Sequence, residues 1–307
     1  MIINAKSKLN KEQFEAKVEK NADSFEIQLI EEMNNKNFNI QNYQEELKKY
    51  KIRAIHMPLY KYHDYDIEKI ESQKILKKVC LLAEEIIEFQ NNFFKENEKI
   101  LVVVHLNISF QLLKEYGLLN RLKKLILELI NKYPNIEIGI ENVTSINYIK
   151  ELGTFNFNNG LYLEEFQFKF SNIELVKEIN HERCGIVIDT CHLLMNKKIM
   201  KKIQKYLKNE IVLDNFIEEY FKQGSQYVKL IHLNYCESHG FHKYHGLAFD
   251  KKDKKSMKYL KEIMDLYFKY NYSCMITLEV NEEDYLNCVN FEKTKKALLK
   301  IMKEQEQ

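Results

Sequence analysis

Tryptophan is absent from this chain, proline occurs twice (Pro58 and Pro134) and glycine only eight times in 307 residues. So few chain breakers exclude collagen-like and low-complexity architectures, and no Pro/Gly/Ser linker divides the sequence into separate domains. No apolar run reaches the roughly 18 to 20 residues that a membrane span requires. The first residues, MIINAKSKLNKEQFEAKVEK, lack the apolar core of a secretory signal. Six cysteines (80, 184, 191, 236, 274 and 288) include no CxxC pair. The reading is therefore a reduced, cytoplasmic protein without a disulfide framework or a structural zinc knot. An excess of charge is missing too. The net charge of +2 argues against polyanion binding across the whole surface, leaving only local basic patches.

What is present is alternation. Strand-like runs lie at 1–4 (MIIN), 25–30 (FEIQLI), 52–56 (IRAIH) and 100–105 (ILVVVH). Four more follow at 136–141 (IEIGIE), 185–189 (GIVID), 227–232 (YVKLIH) and 274–279 (CMITLE). Most are continuous apolar runs, as parallel strands covered on both faces require. Between them, segments such as LLNRLKKLILELINKY carry apolar residues at three- and four-residue spacing, the pattern of helices packed on a sheet. Eight such alternations predict an α/β fold, a single (β/α)8 TIM barrel over 1–307. A doubly wound sheet is the alternative, but no glycine-rich phosphate turn follows any strand. The stretch 142–172 is too long for an ordinary connection and is expected to form an excursion over the barrel mouth.

The chemistry sits at strand ends. The third strand ends at His56, the fourth at His105, the fifth at Glu141, the sixth at Asp189, the seventh at His232 and the eighth at Glu279. In a barrel these positions share the C-terminal rim, where catalytic residues gather. Carboxylates pooled there repel one another unless something positive joins them. A divalent metal does so, and carboxylate oxygens with imidazole nitrogens form the ligand set of zinc, manganese and iron. His192, three residues past Asp189, is read as a ligand, a proton shuttle or a partner that orients Asp189.

Several stretches carry a resemblance: IHMPLY (55–60), VVVH (102–105), IGIENV (138–143), GIVIDTCH (185–192), YVKLIHLN (227–234) and ITLE (276–279). Through them the chain resembles the xylose isomerase-like TIM barrels, which include sugar isomerases and epimerases and the family 2 apurinic endonucleases of the endonuclease IV type. By that resemblance Glu141, Asp189, His232 and Glu279 match the metal site that both branches share. His105 and His63, with His56 as a rival to His63, match the histidines that hold a second endonuclease zinc. The third zinc of the endonucleases would need His192 and an Asp-Arg-His triplet. Here His242, Lys243 and Tyr244 stand in that place, so His239, His242 and His245 are left to rebuild a metal site or, with Lys243, to serve a substrate. The basic, aromatic DNA-binding loop is also replaced, by a stretch containing Glu31 and Glu32.

The resemblance thus implies a metal-dependent enzyme with one to three zinc or manganese ions per chain. The favoured expectation is an isomerase or epimerase of a small sugar or polyol (or its phosphate). Glu141 and Glu279 would be its acid/base pair, and His192 would contact the substrate. The alternative is a zinc-dependent phosphodiester hydrolase of the endonuclease IV type, for which DNA becomes the partner. A non-catalytic barrel that kept its metal is the third reading. No membrane association is expected.

Overall fold

The computed structural model describes the chain except residues 30–38, 59–66, 68, 107, 109, 144–169, 204–214, 238–244, 271 and 306–307. The excursion expected at 142–172, the Glu31–Glu32 pair, His63, His239, His242 and Lys243 therefore fall wholly or largely outside the described residues.

Eight strands close a parallel barrel in chain order: β1 (Ile3–Ser7), β2 (Ser24–Gln28), β3 (Ile52–His56), β4 (Ile100–His105), β5 (Ile136–Glu141), β6 (Cys184–Asp189), β7 (Val228–Leu233) and β8 (Met275–Leu278). Closure is made by β1 against β8, with Ile3 opposite Ile276. Helices separate the strands and cover the outside, among them Ile70–Phe94, Leu118–Lys132, Thr190–Ile203 and Lys254–Lys269. The amphipathic ones turn an apolar stripe inward. On Leu118–Lys132 the buried residues are Leu122, Leu125, Ile126, Leu129 and Ile130, the three- and four-residue spacing of a helix face. Side chains cap helix starts, as where Asn10 accepts from the Gln13 N–H (2.9 Å) and Asp253 from the Lys255 N–H (2.9 Å).

Strand alternation sorts side chains between the helix layer and the barrel interior. Inside, Ala54, Leu101, Val103, Val187 and Leu230 pack together with Met275. Gly139 belongs to this layer because a Cβ there would lie 2.6 Å from Val187 Cγ2, leaving no room for a side chain. On the side formed by β8, β1 and β2 the filling is polar. Asn4 Nδ2 donates to Thr277 Oγ1 (3.4 Å), the Ser24 hydroxyl donates to Asn4, and Lys6 and Glu26 stand nearer the rim.

The strand positions agree with the sequence reading to within two residues at each end, except at the first, which runs Ile3–Ser7 and not 1–4. Its inward residues are Asn4 and Lys6, so hydrophobicity fades just where the strand continues. Glu279 lies one residue past β8, yet its N–H still donates to the Leu233 carbonyl (3.3 Å), which keeps it at the rim. Among the described residues no helix is long and apolar enough to cross a membrane.

Candidate metal centre

Glu141, at the end of β5, is the hub. Its Oε1 lies 3.3 Å from His232 Nδ1, and its Oε2 lies 3.1 Å from His56 Nε2 and 3.3 Å from His105 Nε2. Ligand atoms of Glu141, Asp189, His232 and Glu279 all fall within 4.8 Å of one another, and so do those of His56, His105 and Glu141. Two ligand sets thus adjoin, and Glu141 offers one carboxylate oxygen to each. The strand ends explain the convergence: all six residues are rim positions whose side chains point into the barrel mouth.

Hydrogen-bond partners assign the imidazole tautomers. His56 Nδ1 sits 2.7 Å from the Met57 carbonyl, which can only accept, so Nδ1 carries the proton. Burial, with Lys6 nearby, outweighs Glu141 and lowers the His56 pKa, keeping the ring neutral. Its Nε2 lone pair then faces a carboxylate oxygen at 3.1 Å, an acceptor against an acceptor. His232 Nε2 donates to Glu26 Oε2 (2.9 Å), an oxygen that also accepts from Thr277 Oγ1 (2.8 Å). This leaves His232 Nδ1 aimed at Glu141 and at Glu279 Oε2, the latter 2.9 Å away. His192 Nδ1 donates to the Asn142 carbonyl (2.7 Å) and turns Nε2 toward His245 Nε2 at 3.0 Å. His56 and His232 each anchor one nitrogen on an outer acceptor and present the other to Glu141, the way metal-ligating histidines are seated, whereas His192 turns its second nitrogen to His245.

The electrostatics ask for positive charge. Burial would raise the Glu141 pKa, but His232 and His105 hold it well below the carboxylate range. Glu279 is likewise depressed, by Lys6 and His232 against burial. Burial pulls His232 down, yet Glu26, Glu141 and Glu279 together hold it well above the usual histidine value. His232 Nδ1, Glu279 Oε2 and Glu26 Oε1 are buried without a hydrogen-bond partner among the described residues. The first two face each other as an ion pair at 2.9 Å and Glu26 Oε1 lies 3.6 Å from Lys6 Nζ, so charge, and not a well-aligned hydrogen bond, holds them in the metal-free protein. A divalent cation meeting His232 Nδ1 and Glu279 Oε2 would satisfy both, so the donor set fits an ion such as zinc, manganese or magnesium.

Lys6 and Glu26 escaped the sequence reading. Lys6 forms an ion pair with Glu279 Oε1 and lies 3.6 Å from Glu26 Oε1. Although burial lowers its pKa, Glu279, Glu26 and Glu141 raise it further and keep the ammonium charged. Glu26 is fully buried beneath His232. The signal available was a charged residue at the inward position within a strand, in SFEIQ and in INAKS. Asn234 was also missed. Its Nδ2 donates to Asp189 Oδ2 (3.0 Å), while Asp189 Oδ1 accepts from the His192 N–H (2.7 Å).

Of the histidine-rich loop, His245 is described and reaches the site. A short antiparallel bridge, Tyr235 with Leu247, fixes its approach. Gly246 follows with φ +72, packed so closely on Asn281 that a Cβ would lie 2.8 Å from Asn281 Nδ2; only glycine suits that turn. Asp189, Cys191 and His245 also come within 4.8 Å of one another. The Cys191 thiol points its proton at Met195 Sδ (3.6 Å), away from that group, and burial raises its pKa well above the usual thiol value, so in the metal-free protein it is a neutral thiol.

Neither a family model nor a curated protein matches the sequence. Solved structures do. D-psicose 3-epimerase from Clostridium cellulolyticum H10, crystallised with D-tagatose, superposes with a TM-score of 0.54 at 10% identity, covering 100% of this chain and 98% of its own. A xylose isomerase-like TIM barrel protein from Mycobacterium smegmatis, in complex with magnesium, gives 0.53 at 11% identity over 95% of this chain and 87% of its own. A family 2 AP endonuclease from Brucella melitensis gives 0.53 at 10% identity over 98% of this chain and 97% of its own. Likenesses at this level of identity speak for the fold alone, and together with the closed eight-stranded sheet they establish it: the chain is a (β/α)8 barrel, similar in fold to xylose isomerase-like TIM barrel proteins.

Proposed function

We propose that this chain is a divalent-metal-dependent hydrolase of phosphate esters, built on two cations that share Glu141. The carrying observation is the two-sided use of that carboxylate: Oε1 faces His232, and Oε2 faces His56 and His105. One cation would be held by Glu141, Asp189, His232 and Glu279, the other by Glu141, His56 and His105. Bound there, such ions supply Lewis acidity for activating water and for neutralising charge on attacking and leaving oxygens. The protein's own groups orient the rest. Asn234 and the His192 N–H fix Asp189, Glu26 fixes His232, and Lys6 fixes Glu279. His192, donating from Nδ1, is placed to take or return a proton at Nε2.

This reading ranks the hydrolase above the isomerase, reversing the order the sequence suggested. Proton transfer at carbon needs a carboxylate with a free oxygen. Both Glu141 oxygens face histidines, and Glu279 Oε1 is engaged by Lys6. The isomerase or epimerase of a small sugar or polyol stays as the second reading because Glu141, Asp189, His232 and Glu279 form a complete one-metal set without the other histidines. Metal analysis of the zinc- or manganese-loaded protein separates them, combined with assays on bis(p-nitrophenyl) phosphate, on abasic-site DNA and on ketoses in deuterated water. Two or more equivalents with phosphodiester cleavage supports the hydrolase. One equivalent with deuterium entering a sugar overturns it, and a protein that binds no divalent metal sinks both.

A further inference from the structure

Two of the six cysteines meet. Cys191 follows Asp189 by two residues, in the first turn of the helix Thr190–Ile203, and Cys236 lies three residues past β7. The Cys236 thiol donates to the Cys191 carbonyl (3.7 Å), which sets the two residues side by side. With Met195 they form a small buried sulfur cluster separate from the main core. Lys198, one helical turn beyond Met195, brings Nζ to 4.0 Å from Cys236 Sγ while donating to the Cys236 carbonyl (3.1 Å).

A plain core cluster does not need the lysine. Buried apolar surroundings keep thiols protonated and inert, and Cys80, Cys184, Cys191, Cys274 and Cys288 all have pKa values raised by burial. Cys236 alone is shifted the other way, by the Cys191 thiol and then, against burial, by Lys198. A nucleophilic thiol beside a second thiol that can resolve it is the arrangement of oxidation-responsive pairs.

We propose that Cys236 and Cys191 form an oxidisable pair that hydroperoxides convert to a reversible disulfide. Cys236 sulfur attacks the outer oxygen of the hydroperoxide; the O–O bond breaks, and the alcohol or water leaves with a proton. The sulfenic acid so formed is attacked by Cys191 sulfur. The S–O bond breaks, the S–S bond forms, and hydroxide departs with the Cys191 proton as water. In sum, two thiols lose two electrons and two protons, and the hydroperoxide is reduced to an alcohol and water. The oxygen of Cys191 already receives the Cys236 thiol, so a side-chain rotation at Cys236 moves its sulfur from that carbonyl to the neighbouring sulfur. The bridge would close over Asn234, whose side chain accepts from the Cys191 N–H (2.9 Å) and donates to Asp189. Burial of both sulfurs favours a small oxidant over a bulky one.

The test uses the unaltered, folded, reduced protein. It is exposed briefly to hydrogen peroxide, its remaining thiols are capped with N-ethylmaleimide under denaturing conditions, and the digest is read by mass spectrometry. The expected product joins the peptides of Cys191 and Cys236 with the loss of two hydrogens and is undone by dithiothreitol, while Cys80, Cys184, Cys274 and Cys288 are recovered capped. In Cys191→Ser, oxidation should stop at a Cys236 sulfenic acid that dimedone traps. Recovery of Cys191 and Cys236 as capped thiols while any other cysteine oxidises overturns the proposal, as does dimedone capture elsewhere than Cys236.

Discussion

The barrel interior has two unlike halves. On the β3, β4, β6 and β7 side, Ala54, Leu101, Val103, Val187 and Leu230 fill it with hydrocarbon. On the β8, β1 and β2 side, Thr277, Asn4, Lys6, Ser24 and Glu26 fill it with a hydrogen-bonded and charged network. Both halves are closed to solvent almost completely. Their energetics differ. Burying a side chain such as Leu230 contributes about 1.5–3 kcal/mol, whereas a buried ion pair can often be replaced by apolar residues without loss. The polar half is therefore poorly explained by stability. It makes sense as the support beneath two of the proposed ligands, since Glu26 holds His232 and Lys6 holds Glu279. One half stabilises the barrel, and the other orients the chemistry above it.

The largest effect should come from the hub itself. Glu141→Gln removes a charge from both ligand sets, so activity is expected to fall on the order of 10⁴-fold, about 5.5 kcal/mol at 1.36 per tenfold. Metal content should fall with it, while circular dichroism shows an intact barrel. Glu279→Gln should act in the same direction on its own set. Retention of metal and activity by either variant would remove the proposed site.

Next comes a direct comparison of the halves. Lys6→Met leaves Glu26 and Glu279 buried without their cation and should destabilise the metal-free protein by about 3–5 kcal/mol in urea unfolding. Replacing Lys6 and Glu26 together, by Met and Leu, should recover much of that loss while still weakening metal binding. On the apolar side Leu230→Ala should cost about 2–5 kcal/mol and leave metal affinity nearly unchanged. If the double replacement is as unstable as Lys6→Met alone, the polar half has a structural role that this comparison denies. Within the support layer, Glu26→Ala should lower metal affinity about 10- to 100-fold by freeing the His232 ring, and Glu26→Gln, which still accepts from Nε2, should restore part of it.

Much of this was legible before any coordinates. Continuous apolar runs ending in His, Asp or Glu predicted both the barrel and its rim, because strand ends and ligands coincide in this architecture. Lys6 was not legible: INAKS does not read as a strand, since its inward positions are polar and the reading stopped at Asn4. Glu26 was hidden for the related reason that it points inward from mid-strand. Spacing alone also left His56 and His63 as rivals for the second ligand set. The structure puts His56 on Glu141 Oε2, while His63 falls outside the described residues.

Protonation offers a milder probe. Glu26, Glu141 and Glu279 have depressed pKa values, so their contribution to stability is present above the unfolded value near ~4 and is lost as pH falls through the folded values. His232 is raised, so its contribution is fully present below ~6.5 and is lost as pH rises through its folded value. Without divalent metal, the contribution of these groups to stability should therefore be flat between about pH 4.5 and 6.5, decline as pH rises from there toward the folded His232 value, and change no further beyond it. A metal ligated through Nδ1 takes the place of that proton. The gain in Tm on adding zinc should then increase with pH, by up to about 1.4 kcal/mol per unit for each proton released. A metal-induced gain independent of pH between 5 and 8 would show that His232 is not a ligand.

The smallest effect is expected at the site's outer edge, where His192 and His245 face each other at 3.0 Å. Two explanations fit that distance: a shared third cation, or an N–H of His245 donating to the His192 lone pair. Charge decides between them. Burial, with His192 nearby, lowers the His245 pKa, so this ring is neutral and brings no negative charge. Asp189, the nearest carboxylate, already belongs to the ligand set of Glu141, His232 and Glu279. A third cation would thus rest on neutral imidazoles alone, whereas a neutral hydrogen bond of about 0.5–1.5 kcal/mol needs nothing more. His245→Ala, and His242→Ala from the adjoining loop, should accordingly leave the metal count unchanged at neutral pH and alter KM or turnover only several-fold. Loss of one metal equivalent in either variant, with the Glu141-linked pair retained, would falsify this assignment and establish a third metal site between β6 and the histidine-rich loop.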